Sequence, residues 1–421
     1  AQVRTIRACP PAVPASVGRR RSGALLGRSS ATGDYGECCR SYAGGRPVEY
    51  HRQLGLSPET FETVLDHVER ASYEGTEYRH VPDYRRGVER GTVLFDGAVV
   101  RGFPKVPRTL VLGAGVPRQF DGPIAVEEKL NGYNTRIARI DGDVLAFSRG
   151  GLVCPYTTWF VERQLDLDPL FDDHPDAAVC GEVIGPENPY TPHDYSGVDS
   201  LAFRAFDWRD RQSGEPLDVR ERRERYGEYG VPQVRLFGVY DPYDAADELR
   251  EIIDQLDAED REGIVMKSLD GATQLKYTTS AANRGDLAYA FSLPFDYGQA
   301  FMFRRLIREA FQSIEWNESP EQAHERARAV GEAIVLSMTE TIERVADGEA
   351  VGERHTVRGE PAVIDDLLGH LDAQGLTIDV EADDRVTDEH DGAERVVTFC
   401  KRVQSTNDTI RGYLDGQIVR E

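Results

Sequence analysis

Near residue 280 the apolar residues of this 421-residue chain change their period. Between 122 and 280 they fall in short runs bounded by Gly, Asp and Pro: AVEEK, YNTRIARID, VLAFSR, AVCGEVIG, LAFRAFDW, QVRLFGVY, GIVMKSL and TQLKYTT, with helical pieces near 218–228 and 244–257. Runs of this kind pack one face of a pleated strand, so they predict antiparallel sheets covered by helices, an α+β domain rather than a doubly wound one. After 280 the apolar positions return every three or four residues. FMFRRLIREAFQSI sets Phe303, Leu306, Ile307, Ala310, Phe311 and Ile314 on one stripe, and Ser319, Pro320 and Gln322 open a second helix with a capping box that Gly348 closes.

The flanks make the expected architecture a multidomain α+β one. Residues 48–121 read as a small N-terminal module: a helix over SPETFETVLDHVERA with Ser57 as N-cap and Pro58 at its first position, then strand-like GTVLFDGAVVRGF and RTLVLG. Residues 122–280 form the central sheet domain, 281–350 a helical unit, and 351–421 a small α+β tail: strand, helix EPAVIDDLLGHLDAQG, strands LTIDVEA and ERVVTFCKRV, helix TNDTIRGYLDGQI. Residues 1–47 obey other rules, with eight arginines against two acids and no periodicity, and read as disordered. The abrupt change of composition favours sequence translated from a misplaced start, with Val48 the initiator, over a basic RNA-binding arm or an Arg-rich targeting peptide.

The net charge of -23 is spread along the chain, and lysine has given way to arginine, five against 45. A surface of Asp and Glu keeps its hydration in strong brine, where repulsion is screened within about 3 Å at 1 M salt. A salt-loving archaeal cytoplasm is the reading; a generic acidic surface is its alternative. No apolar run approaches the length of a membrane span. The six cysteines form no C-x-x-C pair and no histidine stands at metal-ligand spacing to them, which predicts neither zinc nor disulfide.

In such a chain a surviving lysine calls for a reason. Lys129 stands on the shoulder of a tight Leu-Asn-Gly turn in VEEKLNGYNTRI. A lysine near other cations, or partly desolvated, sheds its proton and becomes a nucleophile, as arginine cannot. Asn131 and Gly132 supply the turn, Gly132 with its tolerance of positive φ and its room for a ligand. An ordinary hairpin is the alternative, and a Schiff-base or pyridoxal-phosphate lysine a second one.

Five further elements follow in order: FSRGG with Arg149, CGEVIG with Glu182, FRAFD, EGIVMK and QLKY. With the K-x-N-G stretch they resemble the signature of the covalent nucleotidyltransferases, ATP-dependent RNA and DNA ligases and mRNA capping enzymes. Within that superfamily the chain most resembles the archaeal homodimeric ATP-dependent RNA ligases, whose architecture matches 48–421. The resemblance implies that the chain joins RNA 5′-phosphate and 3′-hydroxyl ends through lysyl-AMP and adenylylated RNA, with ATP and Mg²⁺ or Mn²⁺, as a homodimer whose helices at 281–350 pair. It makes Lys129 the nucleophile, with Lys267 and Lys276 on the phosphates and Glu262 on the divalent cation. Glu128, Asn131 and Gly132 then belong to the nucleotide pocket, Arg149 to ribose or the incoming 5′-phosphate, and Glu182 to the ribose hydroxyls.

Phe203 and Phe206, three apart on a strand, face opposite sides; Phe206 is expected to stack on adenine and Phe203 to lie in the core. By the same alternation Glu262 and Lys267 point apart unless Gly263 breaks the pleat. The chain departs from the family at Gln274, where a lysine is usual, and at Asn134, where an arginine is common and Arg136 is the expected substitute. Arg101, Lys105, Arg108, Arg136 and Arg149 are candidates for an RNA cleft. Scattered surface charge is the alternative for that set. A non-catalytic or adenylylation-only RNA-binding dimer on the same fold is the alternative to the ligase.

Overall fold

The computed structural model describes residues 49–95, 97–388 and 392–419, with the strand residues 42–43 and 46–47. The reading of 1–47 as disordered therefore falls almost wholly outside the described residues. The pair β1 (Tyr42–Ala43) and β2 (Arg46–Pro47) precedes helices α1 (Tyr50–Gln53) and α2 (Pro58–Leu65). Strands β3 (Glu69–Tyr73), β4 (Thr76–His80), β5 (Val93–Phe95) and β6 (Ala98–Val100) then form an antiparallel sheet in that order.

The central region opens with α3 (Leu112–Gln119) and holds two four-stranded antiparallel sheets. It runs through β7 (Ile124–Lys129), β8 (Tyr133–Ile140), β9 (Asp143–Ser148), α4 (Pro155–Gln164), α5 (Asp168–Asp173), β10 (Ala177–Ile184), β11 (Ala202–Asp210), α6 (Val219–Glu228), β12 (Leu236–Tyr240), α7 (Ala246–Ala258), β13 (Gly263–Ser268) and β14 (Gln274–Thr278). One sheet is ordered β11-β10-β8-β9 and the other β12-β7-β13-β14. Helices α8 (Ser280–Ser292), α9 (Gln299–Glu315) and α10 (Pro320–Ala346) follow. The chain ends with β15 (Gly352–Gly359), α11 (Pro361–Ala373), β16 (Ile378–Asp388), β17 (Gly392–Arg402) and α12 (Gln404–Leu414), the strands ordered β15-β17-β16.

Each central sheet buries one face under helices. Ile124, Val126, Ile264, Met266 and Leu275 pack on Leu112 and Val116 of α3 and on Leu249, Ile253 and Leu256 of α7. In the other sheet Ile137, Val179, Val183 and Phe203 pack on Phe160 and Val161 of α4, Phe171 of α5 and Tyr226 of α6. Each such fully buried aliphatic or aromatic side chain contributes about 1.5–3 kcal/mol, less the cost of ordering it. The polar positions that alternate with these residues line the cavity described below.

Two expectations need correction. The first helix stops at Leu65, and Glu69–Tyr73 is a strand, because Glu74 and Gly75, with φ of 48° and 81°, form a tight turn that pairs Tyr73 with Thr76. RTLVLG is not a strand. Arg108 makes a lone bridge to Lys276, and the chain turns into α3, which two glycines and a proline had disguised. Along the expected stripe of α9, Phe303, Phe311 and Ile314 are exposed, while Met302, Glu309 and Gln312 are buried. The capping box at Ser319 and Gln322 is present.

Candidate active site

Between the two central sheets lies a cavity of about 940 Å³ whose wall includes Lys105, Lys129, Lys267 and Lys276, four of the five lysines of the chain. Lys129 closes β7, and its Nζ contacts Glu262 Oε2 and lies 3.4 Å from the Leu130 carbonyl oxygen. The alternation of β13 sends Ile264 and Met266 into the core and Val265 and Lys267 to the cavity. By that rule Glu262 would point into the core. Gly263 prevents it: its φ is 145°, its partner across the sheet is Lys129, and a Cβ there would meet the Tyr277 carbonyl oxygen at 2.2 Å. The glycine redirects the strand entry so that Glu262 reaches Lys129 while Lys267 keeps its place on the cavity wall.

Lys267 is almost wholly buried. Its Nζ donates to the Phe206 carbonyl oxygen, lies 3.1 Å from Glu127 Oε2 and sits 5.5 Å from the centre of the Phe206 ring. Burial pulls its pKa down, against the pull of Glu127 and Asp207. Glu127, equally buried, also holds Arg222 and Arg223. Burial alone would raise its pKa, but Lys267 and Arg222 outweigh it and the carboxyl titrates below its usual range. One carboxylate thus faces three cations at the cavity wall.

Lys276 follows from β14, whose alternation puts Leu275 and Tyr277 in the core and Gln274 and Lys276 on the cavity. Burial, then the fields of Lys129 and Arg108, push Lys276 down to about 8. Glu182, half-buried on β10 opposite Asn134, moves the other way: burial pushes its carboxyl up to about 8, although Lys129, Arg149 and Lys276 favour its charge. Arg149 stands exposed at the cavity wall, with Nη2 3.4 Å from the Pro104 carbonyl oxygen. Phe206 lines the cavity and meets Phe103 edge-on at 5.3 Å, whereas Phe203 is buried in the core under Gly181. Glu128 lines the cavity and is paired with Arg261, whose Nε donates to it at 2.6 Å.

Gly132 lines the cavity without a positive φ. What requires glycine there is a close approach, since a Cβ would meet the Val183 carbonyl oxygen at 2.2 Å and Glu182 Cγ at 3.0 Å. Asn131 is not part of the wall; its N–H donates to the Tyr195 hydroxyl at 2.6 Å and its carbonyl accepts from the same group, which fixes the loop. Arg136 does not replace the arginine missing at Asn134. It is buried, and its guanidinium donates to the carbonyls of Arg101, Gly91 and Ser148 at 2.6, 2.8 and 3.0 Å, pinning the N-terminal strands to β9. Arg101 is likewise committed, to Glu89 at 2.8 Å. Gln274 donates to Asp207 Oδ2 at 3.0 Å instead of extending toward a ligand.

Reading the sequence missed that residues before the central region complete the wall. Asp83, Tyr84, Glu89, Arg90, Phe103 and Val106 line the cavity beside Lys105. The scarcity of lysine was the signal that could have found them, through Lys105.

The family described as "RNA ligase" matches residues 122–278, and that described as "Ligase Pab1020 C-terminal region" matches 289–417. Two solved structures titled "Archaeal ATP-dependent RNA ligase", form 1 and form 2, are 40% identical to the chain, cover 88% of it and 98% of their own length, and superpose with TM-scores of 0.80 and 0.81. The chain belongs to the archaeal ATP-dependent RNA ligases. A protein of Methanocaldococcus jannaschii without assigned function, MJ0414, is 39% identical over 342 residues, 79% of this chain and 86% of that one. A "putative ATP-dependent DNA ligase" of Aquifex aeolicus is 27% identical with a TM-score of 0.79, and the match covers 86% of this chain and all of that one. As in those relatives, helices and antiparallel sheets make up the ligase chain, and none of its described helices is long and apolar enough to cross a membrane.

A divalent ion fits the ligase cavity only as a partner of phosphate. No group of three His, Cys, Asp or Glu side chains is gathered among the described residues. Mg²⁺ needs only one or two carboxylates when phosphate oxygens and water fill its remaining positions, and Glu262, which is not itself part of the cavity wall but contacts Lys129 at its edge, is the acid that would supply one.

Proposed function

We propose that this ligase seals RNA 5′-phosphate and 3′-hydroxyl ends with ATP through Lys129. The observation that carries the reading is that Lys129 Nζ stands at a cavity of about 940 Å³, in contact with Glu262 and beside Lys105, Lys267 and Lys276. In the first step Nζ, having lost a proton, attacks the α-phosphorus of ATP; the N–P bond forms as the bond to pyrophosphate breaks. Lys276 and Lys267 neutralise the charge that gathers on the phosphate oxygens. Glu128 and Gly132 border the nucleotide, Phe206 offers a ring for adenine, and Glu182 meets the ribose hydroxyls. A carboxyl titrating near 8 also donates a hydrogen bond at neutral pH, so Glu182 suits a hydroxyl either as donor or as acceptor. Glu262 would hold Mg²⁺ or Mn²⁺ against the phosphates, and the ion would offset their charge.

AMP then passes to an RNA 5′-phosphate, which Arg149 and Lys105 of the cavity wall would receive, and a 3′-hydroxyl displaces it to make the phosphodiester. The test compares wild type with Lys129→Ala, given ATP, Mg²⁺ and a 5′-phosphorylated single strand in molar salt. The wild type forms an acid-labile protein–AMP adduct and sealed product, and the variant forms neither from that strand. An adduct in Lys129→Ala would overturn the reading. The pairing of Gln274 with Asp207 favours one alternative, an enzyme that adenylylates itself but seals poorly; pyrophosphate release without sealed RNA would select it. The homodimer and the salt-loving cytoplasm belong to the same proposal. Phe303, Ile314, Val335 and Leu336, exposed on α9 and α10, support the first, and 73 acids against 50 basic residues the second.

A further inference from the structure

Arginines in this chain are commonly paired with acids. Arg139 holds Asp168 and Asp172, Arg326 holds Glu309 and Glu318, and Arg395 holds Asp365 and Asp383. Arg108 and Arg308 differ. Arg108 Nη1 donates to the Thr278 hydroxyl at 2.5 Å, Arg308 Nη1 lies 3.5 Å from the Asn283 side-chain oxygen, and among the described residues neither forms an ion pair. The acids whose fields reach them are engaged elsewhere, Glu262 with Lys129 and Asp286 with Arg305 at 2.8 Å. Burial, then Arg108 and Arg305, push Arg308 down to about 9. Two half-buried cations that share a recess and form no ion pair repel, and a bound anion relieves that cost.

The two guanidinium groups share a shallow recess with Thr109, Asn283 and Gln312, from α8, α9 and the segment before α3. Neither arginine lines the nucleotide cavity. The recess nevertheless adjoins it. Thr278, which accepts from Arg108, is two residues beyond Lys276 on the same face of β14, about 7 Å along the strand. Residues 107–109 run beside Lys276, whose N–H donates to the Pro107 carbonyl at 3.0 Å and whose carbonyl accepts from Thr109 at 3.2 Å. The free space is about 10 Å³, enough for one oxygen and far too little for a base.

We propose that Arg108 and Arg308 form a phosphate-oxyanion site outside the nucleotide cavity, filled by a phosphodiester of the RNA strand that is being sealed. The helical region thereby takes part in substrate binding. The inference rests on the ligase reading above. The triphosphate tail of ATP offers the same oxyanion chemistry, so the experiment has two arms.

Arg308→Gln and Arg308→Lys are prepared in the full chain and checked for unchanged thermal melting. Arg108→Gln, on the segment before α3, repeats the test should Arg308→Gln fail to fold. The first arm measures lysyl-AMP formation against ATP concentration, and the second measures sealing of a pre-adenylylated strand against strand and salt concentration. Loss of one phosphate contact should lower the slope of log affinity on log salt by about 0.7, the single-strand value, with strand affinity falling roughly fivefold to tenfold. Arg308→Lys should keep the slope. A fall confined to the first arm would overturn the RNA assignment and give the site to ATP. Wild-type values in both arms would overturn the site itself. If the wild type fails in both arms, the ligase reading falls rather than this inference.

Discussion

Removing the charge of Glu182 should make the ligand-free protein more stable at alkaline pH while damaging nucleotide capture. The carboxyl titrates near 4.5 in its ordinary state and at about 8 in the folded chain. Between those limits the folded state holds a proton that the unfolded state has released, so stability falls as pH rises through the window and levels off above 8. The shift corresponds to about 5 kcal/mol at 1.36 kcal/mol per unit if no water reached the group. Glu182 lies at a cavity open to solvent, and screening there leaves about 1–3 kcal/mol.

Glu182→Gln cannot ionise and escapes this penalty. Thermal melting of the ligand-free variant and wild type, at pH 5 and pH 8.5 and in one salt concentration, measures the difference. At an unfolding entropy of about 2.1 cal/mol/K per residue, the expected gain at pH 8.5 is about 1–4 °C, and it should be smaller at pH 5, near the lower end of the window. Lysyl-AMP formation by the variant should fall at limiting ATP. Equal melting at both pH values, or a wild type more stable at pH 8.5, would refute the reasoning that Glu182 is a desolvated acid at the cavity wall.

Gly263→Ala should abolish adduct formation and lower melting by several degrees, as circular dichroism and labelled ATP would read, because its Cβ meets the Tyr277 carbonyl at 2.2 Å and Glu262 loses its approach to Lys129. Lys276 carries its charge below about 8 and loses it above, so kcat/KM for ATP should decline through that pH; in Lys276→Arg the alkaline limb should move up by more than one pH unit. Ile314→Asp with Leu336→Asp should turn the proposed dimer into a monomer, by sedimentation or light scattering, with little effect on adduct formation.

The succession of strands between 122 and 280, though not their order in the two sheets, was legible because each strand carries its own alternation, and the β8–β9 turn is a D-G pair with φ of 53° and 101°. Lys129, Lys267 and Lys276 were legible because a chain that avoids lysine keeps these. Other features depend on contacts distant in sequence. Arg136 reads as a cleft cation until the carbonyls of Gly91, Arg101 and Ser148 are placed around it. Alternation left Glu262 and Lys267 apart unless Gly263 broke the pleat, and only its φ of 145° shows that it does, so that Glu262 reaches Lys129. The α9 stripe was legible as apolar, but not the fact that this side of the helix is left uncovered. Helix α3 was hidden by Gly113, Gly115 and Pro117, whose poor propensities are overridden where Leu112 and Val116 pack against α7.

The most direct test of the central claim is peptide mass spectrometry of the protein after incubation with ATP and Mg²⁺ and no RNA. A single AMP on the peptide that contains Lys129, released by acid and absent from Lys129→Ala, is the result this account predicts. An AMP on Lys105, Lys267 or Lys276 instead, or no adduct in an enzyme that still seals RNA, would contradict it.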